Sequence, residues 1–421
     1  MTSYISESIK LIFSKTAKDT AVIMVGNSIA AILAVLFTIF AARSLGPDGW
    51  GIVTGVISFV TIVEAFGDFG LGSSLFRFIS KEWSEGNREK AKRILDSVFL
   101  LRTLTAVVTG IILIFLSKLI AEFIFHTNDT SIVLFATLAV CAYLFIDFQI
   151  ATFLAKQRWK TAALFLTLGN GIRFVWVWIL SQGNPTVMGI LFAFSASPLL
   201  AFLISLAFQP VSIGWHKKET DFFKTIIPFS GWVGINRIAS ATIARMDAII
   251  MLSILGSHDT GIYGAARQLS IGIPIVLGSV ASVLAPRFAT LTGSALTSYF
   301  KKSLLLSTLL SLGVLAGIYL APWIINFFGP KYKESLPVLQ WLLAGFIPFV
   351  FATPAVNALI YSYKKPRIIA LIASVQLPII IVAYYLLTPR VGILGPAYIH
   401  VAWHLTTMIL SFVFVAKYLK R

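Results

Sequence analysis

The stretch Leu45-Gly46-Pro47-Asp48-Gly49-Trp50-Gly51-Ile52 returns half a chain later as Leu255-Gly256-Ser257-His258-Asp259-Thr260-Gly261-Ile262. The same offset carries Arg77-Phe78 onto Arg287-Phe288 and Ala91-Lys92 onto Lys301-Lys302. With a slip of one residue, Asn27-Ser28-Ile29-Ala30 answers Asn236-Arg237-Ile238-Ala239. Self-similarity at this period means two similar bundles joined end to end.

Composition says what kind of bundle. Of 421 residues, 57% are hydrophobic and only 12% charged, about half the charge share of soluble domains. Apolar runs of roughly 20 residues, each long enough to cross a bilayer as a helix, recur twelve times: 20–43, 48–74, 96–119, 131–155, 161–181, 187–208, 223–255, 259–285, 303–323, 336–361, 367–387 and 393–416. A membrane barrel would instead alternate in segments of about ten residues. The expectation is therefore an all-α polytopic membrane protein: twelve transmembrane helices in two six-helix parallel repeats around a central cavity.

The net charge of +17 does not point to nucleic acid once the charges are placed. With the N-terminus inside, most Lys and Arg fall in cytoplasmic segments, among them Arg77 to Arg93, Lys156 to Lys160, Lys217-Lys218 and Lys364-Lys365-Pro366-Arg367. The outer segments hold only Arg43, Lys118, Lys331, Lys333 and Arg390. That asymmetry is the positive-inside rule, and it puts both termini in the cytoplasm. Anionic headgroups account for the basic loops. The expected layout is an N-terminal segment 1–19, an N-terminal lobe 20–208, a polar cytoplasmic linker 209–222 and a C-terminal lobe 223–421. Ile5, Ile9, Ile12 and Phe13 share a helical face, which predicts an interfacial helix before the first span. Proline is concentrated in the second half, at Pro228, Pro274, Pro348, Pro354 and Pro378, so that bundle should be the more irregular one.

Nine Asp, Glu and Arg residues lie inside expected spans away from their ends: Glu64, Asp68, Arg102, Asp147, Arg173, Arg237, Arg245, Asp247 and Arg267. A charge facing hydrocarbon costs several kcal/mol, so each should face a cavity or a partner. Asp247 and Arg267 stand ten residues either side of Ser257 and reach matching depth in their hairpin, which predicts an ion pair. Asp68 and Arg102 sit toward the cytoplasmic ends of adjacent spans and should pair as well. Arg237 lies near mid-span beside Gly231, Gly234, Ala239 and Ser240. It either pairs with Asp147 or Glu64 across the bundle, or grips phosphate through two parallel hydrogen bonds. In the second reading Arg173, Arg245, Asn27 and Asn236 join it in binding a headgroup. Glu64, Asp68 and Asp147 are candidates for proton or sodium coupling. His400 and His404, one turn apart, read as cavity or packing residues, and no metal site is expected.

Two hairpins carry a family likeness. Ala42-Arg43-Ser44-Leu45-Gly46-Pro47-Asp48-Gly49-Trp50-Gly51 with Phe69-Gly70-Leu71-Gly72-Ser73-Ser74, and their counterparts at Asp247 to Ile250 and Gly261 to Ala266, resemble prokaryotic polysaccharide-biosynthesis proteins. These are the Wzx-type lipid-linked oligosaccharide flippases of the multidrug/oligosaccharidyl-lipid/polysaccharide exporter (MOP) superfamily. The resemblance implies two six-helix lobes around a central cavity, alternating access, and delivery of a sugar headgroup to the outer leaflet. A polyprenyl-phosphate or diphosphate oligosaccharide would be the cargo, in the plasma or inner membrane of a prokaryote. Partners would be the bilayer and the glycosyltransferases and polymerase of the same pathway, with no nucleic acid, and the protein a monomer. No cofactor is expected; membrane potential or a proton or sodium gradient would drive transport. No Gly-x-x-x-x-Gly-Lys-Ser/Thr loop occurs, so the chain carries no evident ATPase, and it is not expected to be an enzyme. A cation-coupled multidrug exporter of the same superfamily is the alternative.

Overall fold

A computed structural model describes residues 15–212, 220–274 and 290–419, together with Val280, Leu284, Arg287 and Phe288. The expected interfacial helix around Ile5 to Phe13, and residues 213–219 of the expected linker, lie outside the described residues. No strand occurs among those described.

In chain order the helices are α1 (Lys15–Asp68), α2 (Leu71–Ser84), α3 (Arg88–Phe115), α4 (Ser117–Phe123), α5 (Ser131–Ala155), α6 (Trp159–Ser181), α7 (Val187–Ser205), α8 (Thr220–Leu255), α9 (Ser257–Ser270), α10 (Gly293–Asn326), α11 (Ser335–Asn357), α12 (Pro366–Val391) and α13 (Gly395–Leu419). Nine helical runs among the described residues are long and apolar enough to span a bilayer. Two of them, Ala21–Asp68 and Pro366–Tyr418, run to 48 and 53 residues, roughly twice the length a span needs. Each covers two expected segments. Gly46 divides the first, with φ 70° and ψ 178°, and the turn Gly392–Leu394 divides the second. The expected span 259–285 lies partly outside the described residues.

The repeat is visible in backbone geometry. Gly256, which the sequence aligns with Gly46, has φ 86° and ψ −175°, the same glycine-only region of conformational space. Helix packing repeats too. In the first half α5 packs on α3 and α7, and α7 on α6; in the second α11 packs on α10 and α13, and α13 on α12. As the prolines predict, the second half is the less regular. Pro348 and Pro354 lie inside α11, which ends in a π turn at Ala358–Ser362, and Pro378 and Pro389 lie inside α12.

Two compact units emerge. The first holds the chain up to Ser44 and Gly55–Arg245; the second holds Leu45–Thr54 and Met246–Arg421. By this division the units meet within α8, and a ten-residue piece of α1 goes with the second unit. Close packing explains the placement. Within the second unit, a Cβ on Gly51 would lie 2.6 Å from the Ser257 carbonyl carbon, and one on Gly261 would lie 2.7 Å from that of Pro47. Ser257 is the counterpart of Pro47, and Gly261 of Gly51. The contact is therefore reciprocal, each turn offering the other the same glycine against the same carbonyl. His258 Nδ1 lies 3.2 Å from Oδ2 of its own counterpart, Asp48. Without a solvent-driven hydrophobic effect between membrane helices, such small-residue approaches supply much of the packing.

The first unit's core gathers Leu75, Ile79, Val98, Phe148, Phe153 and Phe165; the second's gathers Met251, Tyr263, Ala321, Leu339 and Leu342. Outward faces keep large apolar groups such as Phe115, Tyr319 and Trp323 exposed, as a lipid-facing surface requires.

Candidate functional site

The site in the first unit begins with a broken backbone. Phe69 and Gly70 both have positive φ, 42° and 76°, and they end α1 and start α2 within two residues. Asp68 makes the break possible: its Oδ2 accepts the Gly70 N–H at 3.1 Å and its Oδ1 the Gly72 N–H at 3.2 Å. These are donors that the first turn of α2 would otherwise leave unpaired. Helix α8 crosses here at backbone contact. A Cβ on Gly234 would lie 2.7 Å from the Phe69 carbonyl, and one on Gly70 2.7 Å from the Gly234 nitrogen. The Ser230 hydroxyl donates to the Phe69 carbonyl at 2.7 Å. Ser230, Gly234 and Arg237 follow at i, i+4 and i+7, one face of a helix, so the crossing that seats Gly234 also aims Arg237 at α1.

What Arg237 meets is a group of carboxylates. Its Nη2 donates to both Glu64 oxygens, at 2.8 and 3.0 Å, and its Nη1 lies 3.0 Å from Asp68 Oδ2. Asp147, from α5, stands 3.8 Å away. Glu64 and Asp68 are one turn apart on α1, which is why one guanidinium reaches both. Asp68 also accepts from Arg102 Nη2 of α3, a side chain with no exposed surface. The cluster thus sets two guanidiniums against three carboxylates. Asp147 keeps 40% of its side chain exposed and Arg237 35%, against 11% for Glu64 and 1% for Asp68. Of the two sequence readings of Arg237, the geometry is that of pairing; Glu64 and Asp147 are the expected partners, and Asp68 is an added one.

Arg173 has different company. Its guanidinium lies 4.7 Å from the Phe37 ring centre and 5.4 Å from that of Phe194. It donates to the Tyr143 hydroxyl at 3.0 Å and to Asn170 Oδ1. Arg173, Asn170, Tyr143 and Asp147 together line a cavity of about 180 Å³. A cation framed by rings and neutral dipoles keeps its charge available, while aromatic faces add about 0.5–2 kcal/mol of attraction.

The other expected residues lie elsewhere. Asn27 is exposed and Arg245 half-buried; neither lines that cavity. The side chain of Asn236 lies outside the described residues. Asp247 and Arg267, in the second unit, do meet: Arg267 Nε reaches Asp247 Oδ2 at 3.0 Å. The Tyr263 hydroxyl donates to the same oxygen at 2.6 Å. His400 and His404 are buried against Phe346 and Phe349, which is packing. Asp247→Ala should lower unfolding stability by about 3–5 kcal/mol, because Arg267 would stay buried without its carboxylate. Adding Arg267→Met should recover most of the loss in detergent melting curves. An unshifted melting curve for the single variant would show the pair to be dispensable.

Solved structures share this architecture. The lipid II flippase MurJ in an inward closed conformation superposes with a TM-score of 0.68 at 12% identity, covering 94% of this chain and 87% of that one. An inward-facing multidrug resistance MATE family transporter of the MOP superfamily also scores 0.68, at 15% identity, covering 94% and 98%. The fold is therefore one shared with transporters of the MOP superfamily, and the long apolar helices make the protein a polytopic membrane protein. The family model described as polysaccharide biosynthesis protein matches residues 16–292, and the chain belongs to that family. The putative O-antigen transporter of Shigella flexneri is 25% identical over 402 residues, 91% of this chain and 93% of that protein. EpsK of Bacillus subtilis, an uncharacterized membrane protein, is 24% identical over 376 residues.

Proposed function

We propose that the protein flips a lipid-linked oligosaccharide, carried on a polyprenyl phosphate or diphosphate, from the cytoplasmic to the outer leaflet of a prokaryotic cell membrane by alternating access. The observation that carries this reading is the pairing of Arg173, a guanidinium framed by rings and dipoles, with the neighbouring cluster at Arg237. Unaided, each sugar hydroxyl or phosphate entering hydrocarbon costs several kcal/mol for want of partners. Arg173 offers the phosphate a planar donor. The cluster at Glu64, Asp68 and Asp147 holds one carboxylate more than its guanidiniums offset, which suits uptake of a proton or sodium ion. Asp147, the most exposed carboxylate and the furthest from Arg237, is the group we assign to that uptake. Membrane potential adds about 2.3 kcal/mol per negative charge moved outward per 100 mV. The glycosyltransferases and polymerase of the same glycan pathway are the partners this role implies.

The test is reconstitution. Proteoliposomes should expose a fluorescent polyprenyl-diphosphate oligosaccharide to an external glycosidase faster than protein-free vesicles, and Arg173→Gln should reduce the rate by at least about tenfold, the loss of one charge-assisted contact. The multidrug-exporter reading draws on the carboxylate excess, which also suits a cationic drug. Dye extrusion with no effect on the lipid-linked sugar would replace our proposal with that one.

A further inference from the structure

A second polar cavity in the first unit lies away from the Arg237 cluster, among residues that the positive-inside rule places at the cytoplasmic face. It measures about 260 Å³, and Trp83, Arg88, Lys92, Lys156 and a single carboxylate, Asp96, line it over an apolar floor that includes Leu95 and Phe148. The Arg88 guanidinium carbon sits 3.5 Å from the Trp83 ring centre, and Lys156 Nζ sits 5.0 Å from it. Three helices, α2, α3 and the end of α5, thus bring two cations onto one indole and a third to the rim.

Membrane topology alone does not require this arrangement. A lysine that only marks the inner face needs to reach water, and its flexible stem lets it do so. Lys156 is half-buried instead. Burial, Arg158 and Arg88 together push its pKa down to about 8 against the opposing pull of Asp96, so the positive charges there outweigh the one lining carboxylate. Of the nearby carboxylates, Glu82 is engaged outside the cavity and Asp96 alone lines it. Glu82 accepts from Lys90 at 2.7 Å and Asn87 at 3.0 Å, and Asp96 from the Ser212 hydroxyl at 2.6 Å. Lys156 itself donates to Gln209 Oε1 at 2.8 Å, a neutral acceptor that brings no opposing charge.

We infer that this cavity is a binding site for a phosphate group, seated on Trp83 between Arg88, Lys92 and Lys156. An arginine fork and two ammonium groups match the donor needs of a phosphate monoester. The indole gives the attached carbon skeleton an apolar surface of the kind found at membrane interfaces. The inference is independent of the flippase reading and concerns a different part of the molecule.

The full chain in phosphatidylcholine nanodiscs, doped with a few mole per cent of phosphatidic acid, tests it. Native mass spectrometry counts retained lipid, and a parallel series supplies inorganic phosphate without the acidic lipid, read as a shift in unfolding midpoint. Wild-type protein should retain phosphatidic acid, and Arg88→Gln with Lys156→Gln should weaken retention by at least about tenfold. Lys92→Gln, at an exposed position, should weaken it in the same direction should the double variant fail to fold. A midpoint shift with inorganic phosphate alone, lost in the same variants, identifies a soluble phosphate compound as the ligand. Lys364→Gln with Lys365→Gln, in a different basic loop, should leave both readings unchanged. Equal loss in that control, or no difference between wild type and the Arg88 and Lys156 variants with either probe, overturns the site.

Discussion

Arg237→Ala will reduce transport by at least about a hundredfold, the largest functional effect expected from any single substitution in this chain. The reason lies in what remains. Without that guanidinium, Arg102 is the one cation left in contact with Glu64, Asp68 and Asp147 among the described residues, and it is itself tied to Asp68. Stripping one partner from such a group costs about 3–5 kcal/mol, and the lower end applies because a third of the Arg237 side chain already meets water. Stability and mechanism are separated by a companion change. Arg237→Ala with Glu64→Gln removes one charge of each sign, so melting behaviour should return while transport does not. Arg237→Lys keeps the charge but has a single nitrogen, which cannot serve Glu64 and Asp68 together as Nη2 and Nη1 do; intermediate rates follow. Wild-type flipping by Arg237→Ala in proteoliposomes would refute the assignment outright.

The second large effect is structural. Gly261→Ala puts a methyl group into the Pro47 carbonyl, and Gly51→Ala puts one into that of Ser257. A side chain in the way can rotate aside, but a backbone carbonyl within a helix cannot, so the two segments must separate. Overpacking costs about 1–3 kcal/mol where neighbours yield, and here the upper end or beyond is expected for each change. The double variant should fail to accumulate as folded protein. Gly313→Ala is the control: nothing lies within 4 Å of its added Cβ, and alanine favours the helix by about 0.5–1 kcal/mol. Detergent melting curves with fluorescence size-exclusion profiles distinguish the cases. Gly261→Ala and Gly313→Ala behaving alike would mean that the close approach carries no weight.

Local features were readable before any coordinates existed. Gly46 and Gly256 stand out in the repeat because no other residue tolerates their shared conformation, so the duplicated turn is written into residue type. The Asp247–Arg267 pair is legible because a hairpin with Ser257 at its tip places both at one depth. The Asn170–Arg173 contact is an i, i+3 pair on one helix, and its spacing was there to be seen. Contacts made across helices were harder. Nothing local to Asp68 says that α8 will bring Arg237 to it, since that depends on Gly234 and Ser230 meeting the break at Phe69. Tyr143 reaches Arg173 from another helix, and Trp83 gathers Arg88 and Lys156 through folding alone. Hydropathy makes the polar stretch 209–222 readable as chain that meets water, whereas the packing that groups Leu45–Thr54 with the second unit follows small residues such as Gly51 and Gly261.

The mutual seating of the Leu45–Thr54 turn and its later copy has a bearing on origins. A surface that fits its own duplicate needs no second design, so a chain of half this length with one copy of the turn would carry both sides of this joint. Holding both copies in one chain adds a tether and lets the two sides differ: one carries Asp48 where the other carries His258. The glycines, fixed by what a carbonyl will tolerate, had no such liberty.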